Sequence, residues 1–226
     1  MSTARAPRIF RAPGAVRSLF AVVALACAFM APTAASASVA EGDALRISTT
    51  GQRSLKWTWT PPGHQDRYGH AEGLMHAPMA AVVQHVLDYG KYKELAPWRF
   101  TASRVVGHEK GTDLYMEFSV LHGLVKLWDV SRFNLRPGGE GVQVVEGKFL
   151  RGNVKDSNIV WTVERVDDDY TVLKCDILLK PDLPVSPAQG AIDEELRDAA
   201  QQAVDGVQRK AQGDDKVVTW APPHAP

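Results

Sequence analysis

The sequence predicts an α+β domain, a seven-stranded curved antiparallel sheet with its helices packed on one face. Period-two alternation of apolar residues recurs between residues 98 and 180, two short helical stretches follow a first strand, and one long amphipathic stretch lies near the C-terminus. Alternation of this kind sets every second side chain on one face of a sheet, and three- and four-residue spacing makes the stripe of a helix.

The chain opens on residues of a different kind. Arg5, Arg8, Arg11 and Arg17 come without an acidic residue, an apolar run fills 19–31, and Ala35-Ser36-Ala37 precedes Ser38. A positive end, a short greasy helix and small residues at the cut are the order of a secretory signal over residues 1–37, with cleavage expected near Ala37. The apolar run has 13 residues, short of the roughly 20 that cross a bilayer. A permanent anchor and lipidation at Cys27 are the weaker alternatives; Ala24-Leu25-Ala26 puts Leu where a small residue is usual.

Residues 38–67 are rich in Thr, Gly and Pro. Their strand signal, Leu55-Lys56-Trp57-Thr58-Trp59, stops at Pro61-Pro62-Gly63, so this extension has room for one extra edge strand. The domain proper is expected over 68–212. Its first strand is 68–77. Pro78 then stands where a helix tolerates proline, and Ala80, Val83, Val86 and Leu87 recur at helical spacing up to Asp88. A second short helix, 89–95, ends ahead of Pro97.

Next, Leu114, Met116, Phe118 and Val120 alternate with Tyr115, Glu117 and Ser119, while Val125, Leu127, Phe133 and Leu135 share a parity with Asp129 and Ser131. Glycines, Pro137-Gly138-Gly139 and Asp167-Asp168-Asp169 fall at hairpin intervals. Six strands follow, near 98–109, 112–121, 124–136, 142–151, 157–166 and 170–180. The last element is a helix over 188–211, capped by Ser186 with Pro187 and striped by Ile192, Leu196, Ala199, Ala203, Val207 and Ala211. At 1.5 Å per residue it is about 36 Å long, enough to cross the sheet. Its alanine-rich face lets it lie close to the sheet at some points and leave space at others. The tail, 213–226, is expected to be mobile, with Trp220 able to dock.

Removing 37 of the 226 residues leaves 189, enough for one domain with a real core. Four of the 26 basic residues and none of the 26 acidic ones lie in the signal, which leaves 22 against 26, a formal charge of −4. A mildly acidic, mixed surface gives no footprint for DNA or RNA. Cys175 alone survives cleavage, so no internal disulfide can form, and in its apolar run it reads as a small hydrophobe.

This order of elements resembles the START and Bet v 1-like superfamily, the helix-grip domains that include polyketide cyclase/dehydrase, lipid-transport and coenzyme Q-binding proteins. The likeness is carried by Met75-His76-Ala77-Pro78, Val83 to Leu87 with Asp88-Tyr89 and Tyr92, Leu95-Ala96-Pro97, the Trp161 strand, and Leu179-Lys180-Pro181-Asp182-Leu183-Pro184 before the final helix. It implies a cavity between sheet and helix holding a lipid, sterol, isoprenoid or polyketide-like molecule. It brings no fixed catalytic set with it.

Few residues suggest chemistry. His70 and His76 lie about 20 Å apart along one strand, no compact metal spacing exists, and no cofactor is expected. No nucleophile elbow or phosphate loop is present, so no catalytic residue is assigned. Asp129 stands out, because its parity companions face inward. A carboxylate in an apolar cavity has its pKa raised by desolvation, and it could orient a ligand hydroxyl or act as a general acid; the bland alternative is a bulge that turns it to solvent. The expected pocket wall is Met116, Phe118, Phe133, Trp161, Cys175 and Ile177, with Asp129 as polar anchor. The expectation is a periplasmic or secreted carrier of a hydrophobic small molecule, making at most transient contact with a membrane surface and none with nucleic acid. The alternatives are a cyclase- or hydratase-type enzyme using Asp129, and a protein-interaction domain with a filled interior.

Overall fold

A computed structural model of the chain describes residues 33–97, 99–120, 123–183, 188–213 and 216–222. Residues 1–32 of the expected signal, Trp98, and the expected cap Ser186 with Pro187 lie outside the described residues.

The elements run α1 (Thr33–Thr50), β1 (Ser54–Trp59), β2 (Tyr68–His76), α2 (Met79–Leu87), a 3-10 turn (Tyr89–Lys91), α3 (Tyr92–Leu95), β3 (Phe100–Gly107), β4 (Thr112–Val120), β5 (Val125–Gly139), β6 (Val142–Gly152), β7 (Val154–Arg165), β8 (Tyr170–Pro181) and α4 (Gln189–Gln212). The strands form one antiparallel sheet in the order β1-β2-β8-β7-β6-β5-β4-β3. It has eight strands rather than the expected seven. The extra one is β1, which pairs from Ser54↔Gly73 to Trp59↔Tyr68 along β2. Its alternating Leu55, Trp57 and Trp59 are typical of an edge strand, and the turn chemistry after it matches the sequence. Helix α1 is the element that the composition concealed. Its buried residues Ala40, Ala44 and Ile47 keep helical spacing, but two of the three are alanines among Thr, Ser and Gly.

The inner face carries the main core. Helix α4 lies across it, burying Leu196, Ala200, Ala203, Val204 and Val207. Two glycines set how close it comes. A Cβ on Gly69 of β2 would stand 2.2 Å from the Leu196 carbonyl carbon, and one on Gly206 would stand 2.2 Å from the Leu95 carbonyl oxygen. Backbone therefore meets backbone where α4 crosses β2 and α3. The helix ends at Gly213, left-handed at φ 77°, whose N–H donates to the Arg209 carbonyl.

The outer face of β2, β7 and β8 carries a second, smaller core. Ala40, Ala44 and Ile47 of α1 pack there with Leu74, Val172, Val218 and Trp220. The Trp220 backbone N–H donates to Ser48 Oγ at 2.8 Å and its indole to Asp167 Oδ2 at 2.9 Å, so this part of the tail is docked. Between α1 and the sheet runs a charged layer in which Lys174 bridges Asp43 and Glu164, at 2.6 and 2.9 Å, and Arg46 pairs with Glu72. His70, held at 2.7 Å from Asp176, packs against a tilted Trp57 ring and edge-on to Trp59 in the same layer. Among the described residues no helix is long and apolar enough to cross a membrane.

Candidate ligand cavity

Two things divide the space between α4 and the sheet. Under α2 and α3 it is filled by aromatic rings: Tyr92 meets Phe133, Trp161 and Phe100 edge-on or tilted at 5.8 to 6.2 Å, and Tyr89 meets Phe133 at 5.0 Å. Gly147 makes room for this plug, since a Cβ there would stand 2.4 Å from the Phe133 ring. Under the N-terminal half of α4 the tyrosine and tryptophan rings stop, and Phe100 and Phe118 are the rings that remain. The helix there presents Ile192, Leu196 and Ala199, and the sheet presents Phe118, Val120, Leu127, Ile159, Ile177 and Leu179.

These residues enclose an apolar cavity of about 60 Å³. It adjoins a groove of about 480 Å³ that shares Leu178, Leu179, Pro181, Leu183, Ile192 and Leu196 and adds Gln65, Asp66, Arg67, Lys180 and Gln189. The cavity alone is below the roughly 300 Å³ of a small-molecule site, so a lipid-sized ligand must extend into the groove or shift the helix. This half of α4 is held at one backbone crossing, Gly69 against Leu196, and around it by charge. Arg67 pairs with Asp193 at 3.1 Å, Lys56 with Asp198 at 2.7 Å, and Arg99 with Glu195. Partly exposed pairs are worth about 0–1 kcal/mol each, so the turns of α4 ahead of the Leu196 crossing are held more weakly than the crossings themselves.

Asp129 lies on the inner face of β5 with no exposed surface. Its Oδ2 accepts hydrogen bonds from Ser131 Oγ, at 2.9 Å, and from Ser157 Oγ of β7. Ser157 in turn lines the cavity. Asp129 Oδ1 is buried and has no hydrogen-bond partner among the described residues. Burial pushes the carboxyl up to about 6, against the lowering effect of the two serine hydroxyls. The position is tight, because a Cβ on the facing Gly152 would stand 2.8 Å from Asp129 Cα.

Of the residues named from sequence, Phe118 and Ile177 line the cavity. Met116, Phe133, Trp161 and Cys175 are buried on the same inner face but belong to the packed core outside the cavity lining. Burial pushes the Cys175 thiol well above its usual range, as an inert core thiol requires. Asp129 sits one layer behind the wall. Sequence reasoning passed over Ser157, although it shares the parity of Ile159, Trp161 and Val163. It also passed over Arg99 and Glu195, which meet at the rim from β3's approach and α4, distant in sequence and readable only in three dimensions.

No family model matches the chain, and no curated protein matches it. Solved structures do. A STAR-related lipid transfer protein from Xanthomonas axonopodis superposes with a TM-score of 0.58 at 15% identity, over 71% of this chain and 94% of that one. Human StAR-related lipid transfer protein 5 gives 0.58 at 10% identity, over 71% and 83%. The Zhui aromatase/cyclase from a Streptomyces species gives 0.52 at 16% identity, over 64% and 93%. At these identities the likeness is one of fold: the curved antiparallel sheet gripping a C-terminal helix is the START/Bet v 1-like fold.

Proposed function

We propose that this protein is an exported carrier that holds a hydrophobic small molecule between α4 and the sheet. The observation that carries the reading is the apolar cavity under the N-terminal half of α4, continuous in its lining with a larger groove. Burying apolar ligand surface at about 25 cal/mol per Å² supplies affinity for a molecule nearly insoluble in water. Two of the matched structures bear the names of lipid transfer proteins, which supports the ligand class. Export fits the arrangement of α1: its buried residues Ala40, Ala44 and Ile47 all follow Ala37, so cleavage there leaves the docked part of the helix intact. Transient membrane contact belongs at the cavity end, where Leu124 stands 86% exposed beyond β4.

Native mass spectrometry of the protein from its own exported fraction tests this. A lipid-sized mass should copurify, the N-terminus should begin near Ser38, and Ala199→Trp, which fills the cavity, should abolish the bound mass while the protein stays folded. Retention of an uncleaved N-terminus, or no ligand in either form, would count against the proposal.

A second reading is an enzyme of the cyclase or hydratase type. One observation favours it: a carboxyl titrating at about 6 behind the cavity wall is suited to proton transfer near neutral pH. Asp129→Asn that still binds a polyketide-like substrate but no longer turns it over would decide for the enzyme.

A further inference from the structure

The cavity wall is apolar except at Arg99 and Glu195, at Ser119 and at Ser157. At the rim, Arg99 and Glu195 are paired with each other, and Asp198 adds a second carboxylate 3.7 Å from Arg99. On the sheet side the polar residues are Ser119 of β4 and Ser157 of β7, and Ser157 is the one bonded to a buried carboxylate. Its Oγ donates to Asp129 Oδ2, as does Ser131 Oγ, so both serine protons are directed at one carboxylate oxygen. The Ser131 and Ser157 oxygens stand 3.2 Å apart, and neither proton is left over for that contact. A hydroxyl has one proton and two lone pairs. With its proton turned away from the cavity, Ser157 Oγ can offer a ligand only lone pairs. Burial lifts Asp129 to about 6, so at pH 8 it is ionised and can only accept.

Resting on the carrier reading above, we propose that the cavity selects a neutral ligand whose inner end carries a hydrogen-bond donor, a hydroxyl above all, and that Ser157 Oγ accepts it. Asp129 is the positioning residue: it fixes the direction of the Ser157 proton and touches no ligand. A carboxylate-ended ligand is rejected, because its inner end would face lone pairs and a buried negative charge with no free cation in the described cavity lining to balance them. An ether or ester oxygen gains nothing there, since it has no proton to give.

The test compares octan-1-ol, 1-methoxyheptane and octanoate by titration calorimetry on the full chain at pH 8. The alcohol and the ether have the same number of heavy atoms and differ in the donor. The alcohol should bind about 3- to 10-fold tighter than the ether, the range of one net hydrogen bond, and octanoate should bind weakest. Ser157→Ala should bring alcohol and ether to the same affinity by weakening the alcohol alone. Should that variant fail to fold, the alcohol-to-ether ratio of the unaltered protein still decides. Equal affinities for alcohol and ether, or octanoate as the tightest ligand, would overturn the donor rule and leave the carrier standing. Binding of none of the three would remove the carrier reading and this inference together.

Discussion

Asp129 is where single-residue chemistry departs most from the ordinary. Its carboxyl titrates at about 6 when folded against an ordinary 3.8, so between those values the folded state holds a proton that the unfolded state has released. Stability is therefore greatest below about pH 4 as far as this group is concerned, and it is lost as pH rises through about 6. The full shift corresponds to about 3 kcal/mol. Asp129→Asn should accordingly raise unfolding free energy by about 2–3 kcal/mol at pH 8 and by about 1 kcal/mol at pH 4.5, measured by urea denaturation at the two pH values. A gain that did not change with pH would show that the carboxyl is not desolvated. Such a costly group suits a site better than a core. Its inward position was the favoured expectation, because Leu127, Asp129 and Phe133 share a parity, and β5 pairs with β4 without a register break from Val125 to Phe133, so no bulge turns it outward. Its environment was not legible in the sequence: Ser157 lies 28 residues away, and only strand pairing brings the two together.

Among the elements, α4 is held in two ways. One strong hold is where Gly69 lets the helix backbone touch β2, and the other is at Gly206 against Leu95. Gly69→Ala drives a methyl into the Leu196 peptide and should cost about 2–3 kcal/mol, lowering Tm by about 5–10 °C in differential scanning calorimetry. An unchanged Tm would mean that α4 does not sit where described. Around the cavity, Arg67, Lys56 and Arg99 pin the same helix through ion pairs as well. Sequence periodicity found the helix and its alanine-rich face. It did not reveal which end would stand off, because that depends on where the bulky rings of Phe133, Trp161 and Tyr92 collect, and three separate elements supply them.

At the scale of the molecule the sheet separates two cores, and each side can be altered alone. Trp220 is buried on the outer side with Ile47 and Leu74, and Trp220→Ala should cost about 3–5 kcal/mol yet leave the affinity for octan-1-ol unchanged, since the cavity lies across the sheet. A loss of binding in that variant would show the two faces to be coupled. By itself the sequence determined the parts and their order from β1 onward, though not α1: strands from alternation, helices from three- and four-residue spacing, turns from glycine and proline, and Asp129 as the inward candidate. Those patterns are local, and each element reports its own buried face. The tertiary structure alone decided that α1 and the tail cover the outer face, that the eighth strand joins the sheet, and that the void opens beside Ser157 rather than among Met116, Phe133, Trp161 and Cys175. A void is what several elements jointly fail to fill, and no single stretch of sequence records how closely its partners approach.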